Sequence, residues 1–255
     1  MYISPVISRF VTLLLLTSIV FSARAQVSVR AITLNPENNW LSYRFPFIQS
    51  KQSLVARKIN QYLQKNVLDN KKIITDSNKI FAASRYINED SILQSGYSAI
   101  DYTVVVNNAR LLSLQFELES TGAYSTNFPS YYNFDNRTGK MITAAAIFTS
   151  RGLQILKNRL LKERKIRVAQ RIQELKGEME IGEDSVYISD TFKECLEDAN
   201  RDVQQISLRS RSILFYKEYC FPYVALPHEA DLDIEISLME IVPYLSAYGK
   251  ELLGK

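Results

Sequence analysis

Residues 101–120 read DYTVVVNNARLLSLQFELES, and this stretch decides the fold class. Apolar and polar residues alternate on both sides of Asn107 and Asn108, which is the period of a β-strand with one buried face. The Asn107-Asn108 pair can supply the positive φ angles of a tight turn. The stretch therefore predicts a long antiparallel hairpin with one apolar and one polar face.

Further strands and helices surround this hairpin. Alternation of apolar and polar residues predicts strands at 27–32, 40–47, 131–136, 206–208, 213–219 and 231–236. Apolar residues at helical spacing predict helices at 53–68, 78–86, 152–176, 190–203 (with Ser189 or Asp190 as the N-cap) and 237–245. This order indicates an α+β fold, in which antiparallel sheet hairpins pack with amphipathic helices, and not a parallel βαβ series.

Composition excludes several classes of protein. The 255 residues are 46% hydrophobic and 23% charged, which is typical of a globular chain and not of a disordered or fibrous one. The formal net charge of +4 is too close to neutral to indicate nucleic-acid binding. A single histidine, His228, excludes His-rich metal sites and catalysis by two histidines. We therefore predict no metal, no cofactor and no nucleic-acid partner.

The first 25 residues have the pattern of a signal peptide. Arg9 is the only charge before an apolar run at 10–21, and Ala23 and Ala25 supply the small residues of a cleavage site. The run is shorter than the ~20 residues that a membrane-spanning helix needs. We expect cleavage after Ala25 and a protein that is periplasmic or secreted, without stable membrane insertion. An uncleaved anchor is the alternative.

Export changes the interpretation of the two cysteines, Cys195 and Cys220. An even number of cysteines in an oxidising compartment favours a disulfide, with two buried free thiols as the alternative. No C-x-x-C motif is present, and His228 alone cannot complete a zinc site. His228 itself follows a proline in a short charged turn, so we expect it to be an exposed loop residue without a catalytic role.

Charged residues are distributed unevenly along the second half of the chain. Residues 151–176 carry nine basic and two acidic side chains, and residues 178–202 carry nine acidic and two basic ones. The basic segment could dock on an anionic envelope polymer or lipid. We favour the alternative that the two segments are neighbours and neutralise each other. Asp231, Asp233 and Glu235 are expected on a solvated strand face and not in a Ca²⁺ site.

Residues 120–133 combine tyrosines with small polar side chains. This composition is typical of recognition loops, in which aromatic faces give rigid contact area and hydroxyls give hydrogen bonds. We predict a ligand-binding surface formed by Tyr124, Phe128 and Tyr131. The alternative is a hairpin connection whose aromatic rings pack inward, because Tyr132 and Phe134 alternate in the manner of core residues.

Several stretches resemble a known bacterial family. They include DYTVVVNN at 101–108, NFDNRTGK at 133–140, DIEI at 233–236 and IVPYL at 241–245. Together they resemble the paired domains of unknown function 4163 and 3298. The resemblance implies two interlocked α+β subdomains, a 4163-like one at 26–149 and a 3298-like one at 150–255. It also implies an exported cell-envelope protein, because the pair occurs in ectodomains of a lysozyme-sensing anti-sigma factor and before peptidoglycan deacetylase domains.

One departure from the family pattern limits what the resemblance implies. The family commonly has Gly-Gly-Ala-His where this chain has Thr121-Gly122-Ala123-Tyr124, so any role of that histidine is lost. A deacetylase domain and a cytoplasmic anti-sigma segment are also not expected here. We therefore expect a non-catalytic envelope binding module that recognises a protein or a glycan. The alternative is a cell-wall polymer hydrolase that uses carboxylates only. The oligomeric state is left open.

Overall fold

The structure, a computed structural model, describes residues 27–35, 41–87, 96–120, 126–178, 183–197, 203 and 205–254. The predicted signal peptide and Tyr124 lie outside these residues. The described chain has an α+β fold with one five-stranded sheet, one three-stranded sheet and several helices. None of the described helices has both the length and the apolar content needed to cross a membrane.

The five-stranded sheet holds its strands in sequence order. They are β1 (Ser28–Leu34), β2 (Ser42–Gln49), β3 (Tyr97–Asn107), β4 (Leu111–Ser120) and β5 (Thr126–Asp135). The β3–β4 pair is the predicted hairpin, with Tyr102 opposite Phe116. Neighbouring strands are antiparallel with one exception, because β2 and β3 run parallel. This parallel pair was not expected, and it arises because the long connection between the two strands includes helix α1 (Ser53–Val67).

The turn of the β3–β4 hairpin differs from its prediction. Asp69 is the only non-glycine residue with positive φ among the described residues, so neither Asn107 nor Asn108 adopts that conformation. The Asn108 side-chain oxygen instead accepts hydrogen bonds from the backbone N–H groups of Arg110 and Leu111, at 2.8 and 2.9 Å. These bonds shape the turn without positive φ.

Helix α1 covers one face of the large sheet. Its apolar stripe, which includes Ile59 and Leu63, packs on Phe45 and Phe116 in the first hydrophobic core. The helix predicted at 78–86 is absent. A single 3₁₀ turn at Ser77–Lys79 stands there, followed by irregular turns. The reason is that Ser84 Oγ and Asn70 Nδ2 donate to the carbonyls of Leu68 and Ile80, which ties this segment to the end of α1.

The middle of the chain is helical. It contains α2 (Ala144–Ile147), the long α3 (Ser150–Glu178) and α4 (Glu183–Glu197). Thr149 Oγ1 accepts the N–H of Gly152 at 3.0 Å at the start of α3. The prediction that a helix starts at Ser189 or Asp190 was wrong, since α4 begins six residues earlier, at Glu183, and continues through both residues.

The remaining elements form the small sheet and the C-terminal helices. The sheet is antiparallel in the order β6 (Ile206–Leu208), β7 (Ser212–Phe215) and β8 (Ile234–Ser237). Helix α5 (Leu238–Ile241), a 3₁₀ turn and helix α6 (Ala247–Leu253) follow. The second hydrophobic core contains Val106 and Leu111 beside Phe215 and Ile241, so residues on both sides of position 150 build it.

Arginines of the basic segment hold the chain that leads into β8. Arg164, fully buried, donates to the carbonyls of Phe215 and Leu232, and Arg167 donates to those of Asp231 and Asp233. A third core, which includes Val168 and Leu175 of α3 with Phe192 of α4, joins the basic helix to the acidic one. The structure therefore places the two segments side by side, as predicted, and their mutual neutralisation stays a prediction.

Candidate functional site

The structure separates the two predicted recognition residues that it describes. Phe128 and Tyr131 lie in strand β5 and not in a loop, three positions apart, so their side chains point to opposite faces of the sheet. Phe128 packs against Tyr97, with ring centroids 6.2 Å apart, at the first core. Tyr131 lies on the other face. Alternate residues of a strand point to opposite faces, which explains this separation. The composition of 120–133 is typical of a loop and did not indicate a strand.

Tyr131 belongs to a different group of side chains, which we call the tyrosine cluster. Its members are Tyr131, Leu214 and Tyr216, which pack together, and Tyr219, which lies close enough to interact electrostatically with the two other tyrosines. The rings of Tyr131 and Tyr216 have centroids 5.5 Å apart, and both pack with Leu214 in a small apolar group separate from the three cores. Leu214 and Tyr216 come from the outer face of β7 and its continuation. The cluster therefore lies where the outer faces of the two sheets meet.

Asn133 fixes this junction. Its side chain is buried and completes three hydrogen bonds: Oδ1 accepts from Ser113 Oγ (2.8 Å) and Leu208 N (3.1 Å), and Nδ2 donates to Ile206 O (2.7 Å). The amide thus pairs with β6 as a neighbouring strand would. Because Asn133 lies two residues after Tyr131 on the same face of β5, it holds the small sheet beside that ring.

Charged groups border the tyrosine cluster. Burial is the main cause of the raised pKa of both buried phenols, and it raises the pKa of Tyr131 to about 12. Asp233 lies close enough to raise the pKa of both phenols further. Arg209, which is paired with Glu235 at 2.7 Å, lowers the pKa of Tyr131. The Tyr131 hydroxyl is therefore protonated at neutral pH and is available as both donor and acceptor.

Only part of the cluster is open to a ligand. The rings of Tyr131 and Tyr216 are buried, whereas Tyr219 is 49% exposed. Within the described part of the chain, no hydrogen bond engages the hydroxyl of Tyr131 or Tyr216. An exposed aromatic face beside buried rings, with carboxylate and guanidinium groups at the border, suits a ligand that has both apolar and hydroxyl groups.

The disulfide supports the exposed part of the cluster. Cys195 of α4 and Cys220 are bonded, with Cα atoms 5.4 Å apart, within the range that disulfides require. Cys220 directly follows Tyr219, so the bond tethers the segment that carries this ring to a helix. The predicted pairing agrees with this geometry.

Partly buried carboxylates elsewhere hold the fold together. Glu229 accepts the backbone N–H groups of Cys220 and Phe221 at 2.7 and 3.0 Å, although burial raises its pKa. Burial would also raise the pKa of Asp135, but hydrogen bonds from Arg137 and Tyr248 bring it below its ordinary value. Within the described residues, no group of three or more His, Cys, Asp or Glu side chains could hold a metal ion.

Two expectations for individual residues need correction. His228 ends a 3₁₀ helix at Tyr223–His228 and is half-buried against Phe221, with ring centroids 6.1 Å apart, so it is not an exposed loop residue. Asp233 is not on a freely solvated face. Its Oδ1 accepts the N–H of Lys217 at 3.0 Å, and burial raises its pKa. Packing on Phe221 half-buries His228, and the hydrogen bond from Lys217 holds the half-buried Asp233.

Sequence reasoning identified Tyr131 but missed its partners. Tyr216 and Leu214 share the alternation of the predicted strand at 213–219, which was the available signal for their common face. Their contact with Tyr131 spans more than eighty positions in sequence and depends on how the two sheets dock. Asn133 gave no signal, since a buried amide that replaces a strand neighbour follows no periodic pattern.

Comparisons with known proteins show a likeness of fold. A crystal structure of a member of the DUF3298 family from Bacteroides fragilis NCTC 9343 is similar over 89% of this chain and 96% of that chain, with a TM-score of 0.55 and 12% sequence identity. A DUF3298 family protein from Pseudomonas aeruginosa PAO1 covers 87% of this chain and 94% of its own, with a TM-score of 0.47 and 11% identity. No family model and no curated protein match the sequence.

The likeness to the Bacteroides fragilis structure supports the 3298 part of the resemblance at the level of fold. It extends over 89% of this chain. The function of that family is unknown, and at this identity the comparison carries no residue roles.

Proposed function

We propose that this chain is an exported, non-catalytic binding module of the bacterial cell envelope, which recognises a protein or a glycan at the tyrosine cluster. The observation that carries this proposal is the exposed Tyr219 near the buried pair of Tyr131 and Tyr216, at the junction of the two sheets. Export is supported by the signal-peptide pattern of the first 25 residues and by the disulfide.

The chemistry of the cluster suits recognition. Tyrosine supplies a rigid aromatic face with few rotatable bonds, so ordering it on a ligand costs little conformational entropy. A sugar ring stacks on such a face through its C–H groups, and a protein loop packs on it through apolar side chains. The hydroxyl groups and the border residues Arg209 and Asp233 add hydrogen-bonding capacity that gives orientation.

The partly or fully buried carboxylates described above serve structural contacts, which also supports a non-catalytic chain. Glycosidic hydrolysis needs two carboxyl groups at a set separation of ~5–10 Å across the scissile bond. Asp135 and Glu229 are occupied by Arg137, Tyr248 and backbone amides, and Asp233 accepts a backbone amide. These contacts stabilise the fold and support the proposal that the chain does not hydrolyse the polymer.

Co-sedimentation with purified peptidoglycan and capture from an envelope extract test this proposal. Tyr219→Ala removes the exposed ring, and Leu54→Ala is the matched control, because Leu54 is 55% exposed and lies on α1, which packs on the opposite face of the large sheet. We expect the wild type and Leu54→Ala to retain the same ligand and Tyr219→Ala to lose most of it. Equal retention of the ligand by all three proteins would refute the assignment of the binding site to the tyrosine cluster.

The same material tests catalysis. Peptidoglycan incubated with the wild-type protein should release no more soluble fragments than the buffer control. Turnover that survives His228→Ala and disappears on substitution of a single Asp or Glu would identify a carboxylate hydrolase and would overturn the non-catalytic part of the proposal.

A further inference from the structure

Helix α3 exposes a face that is both apolar and basic. Its residues line a shallow groove, which we call the basic face: Asn158, Leu161, Lys162, Lys165, Ile166 and Ala169. Ile166 is 46% exposed, an unusual environment for isoleucine in a helix whose opposite side is well packed. Among the described residues, neither lysine of this face forms an ion pair.

Helix α4 exposes a second face with the opposite charge. This acidic face consists of Val186, Tyr187, Asp190, Thr191 and Glu194. Val186 and Tyr187 are 62% and 53% exposed, and both carboxylates point to solvent. Within the described part of the chain, Asp190 and Glu194 make no ion pair.

Each face lies along one side of its helix. Lys162 and Lys165 are three positions apart, and Asp190 and Glu194 are four apart. Both intervals place the two side chains on the same side of a helix, which is the geometry that helix–helix packing uses. Each face combines exposed apolar side chains with two charges of one sign.

The faces cannot meet within one chain. Helices α3 and α4 already pack together in the third core, mainly through Val168, Leu175 and Phe192; Leu161 and Tyr187 touch this core at the edges of the two faces. Both exposed faces therefore need a partner from outside. Three exposed apolar side chains, Ile166, Val186 and Tyr187, lie next to charges that form no ion pair among the described residues. Because the charges of the two faces are opposite in sign, this combination is typical of an association surface.

We propose that the acidic face of one copy of this chain docks on the basic face of a second copy. Apolar contacts of Ile166 with Val186 and Tyr187 form the centre, and Lys162 and Lys165 pair with Asp190 and Glu194 at its border. A second copy is the occupant that charge complementarity and the exposed apolar centre of each face favour. The surface uses no residue of the tyrosine cluster, so this inference is independent of the proposed ligand site.

Sedimentation equilibrium of the purified protein and two charge-reversal variants tests the proposal. K162E/K165E makes both faces acidic, and D190K/E194K makes both basic. K71E/K72E is a control with the same change of net charge at two exposed lysines outside helices α3 and α4. Far-UV circular dichroism and thermal melting establish that each variant is folded.

The wild type and K71E/K72E should associate with increasing concentration, and high salt should weaken this association. Each reversal alone should weaken it about tenfold or more, because two attractive pairs become repulsive. An equimolar mixture of K162E/K165E and D190K/E194K should restore association, because every contact between the two variants is again complementary.

A wild type that stays monomeric at its highest soluble concentration would overturn the proposal. So would a mixture of the two variants that fails to associate. Binding of the wild type to vesicles of anionic phospholipid, lost in K162E/K165E while self-association never appears, would assign the basic face to a membrane surface and would equally overturn it.

Discussion

Replacing Asn133 by alanine tests how the two sheets are joined. The buried amide serves three partners, namely Ser113 Oγ, Leu208 N and Ile206 O. The substitution leaves the backbone N–H of Leu208 and the carbonyl of Ile206 without this partner in a buried setting. An unsatisfied buried polar group costs ~1–3 kcal/mol, so we expect Asn133→Ala to lower the free energy of unfolding by about 3 kcal/mol.

Urea denaturation followed by circular dichroism measures this change, with Asn127→Ala as the matched control. Asn127 lies on the same strand but is exposed, so its substitution should change the free energy of unfolding by less than about 0.5 kcal/mol. Ser113→Ala removes only one of the three bonds and should cost ~1 kcal/mol. A loss of less than about 1 kcal/mol for Asn133→Ala would refute the reasoning that this amide replaces a strand neighbour.

Three further predictions follow from buried or tethered groups. Because burial raises the pKa of Tyr131 to about 12 from the ordinary 10.0, its contribution to stability is complete below pH 10 and is lost as the pH rises through 12. Between pH 10 and about pH 12, the free energy of unfolding should therefore fall less in Tyr131→Phe than in the wild type. The bond between Cys195 and Cys220, which are 25 positions apart, should protect both thiols from alkylation in the unfolded unreduced protein, and reduction should cost about 3 kcal/mol. Arg164→Met removes two buried bonds to carbonyls and should lower the free energy of unfolding by about 3 kcal/mol in urea, whereas Lys165→Met should have little effect.

Local periodicity made much of the fold predictable. The hairpin at 101–120 and the helix at 53–68 have one apolar face each, and burial of that face decides their structure. The predicted helix at 78–86 failed because Asn70 Nδ2 takes the carbonyl of Ile80 and Ser84 Oγ bonds to the carbonyl of Leu68, outside the segment. Such bonds join residues that are distant in sequence, and no periodic pattern records them.

The candidate site was less predictable for the same reason. Tyr131 stood out by composition, but the strand period places Phe128 on the other face, and the true neighbours Leu214 and Tyr216 lie in another sheet. Their position depends on the docking of β6 through Asn133. Long-range docking of this kind follows from packing and hydrogen bonding in three dimensions, which sequence spacing does not contain.

Nitration of exposed tyrosines tests the central claim most directly. The protein is treated with tetranitromethane with and without a saturating amount of the envelope fraction that it retains, and modified peptides are quantified by mass spectrometry. Tyr219 is 49% exposed, and Tyr62 is the internal reference, because it is half-buried on α1 against the first core and belongs to neither proposed surface. The account predicts that the ligand protects Tyr219 and leaves the reactivity of Tyr62 unchanged. Equal nitration of Tyr219 with and without the ligand would contradict it.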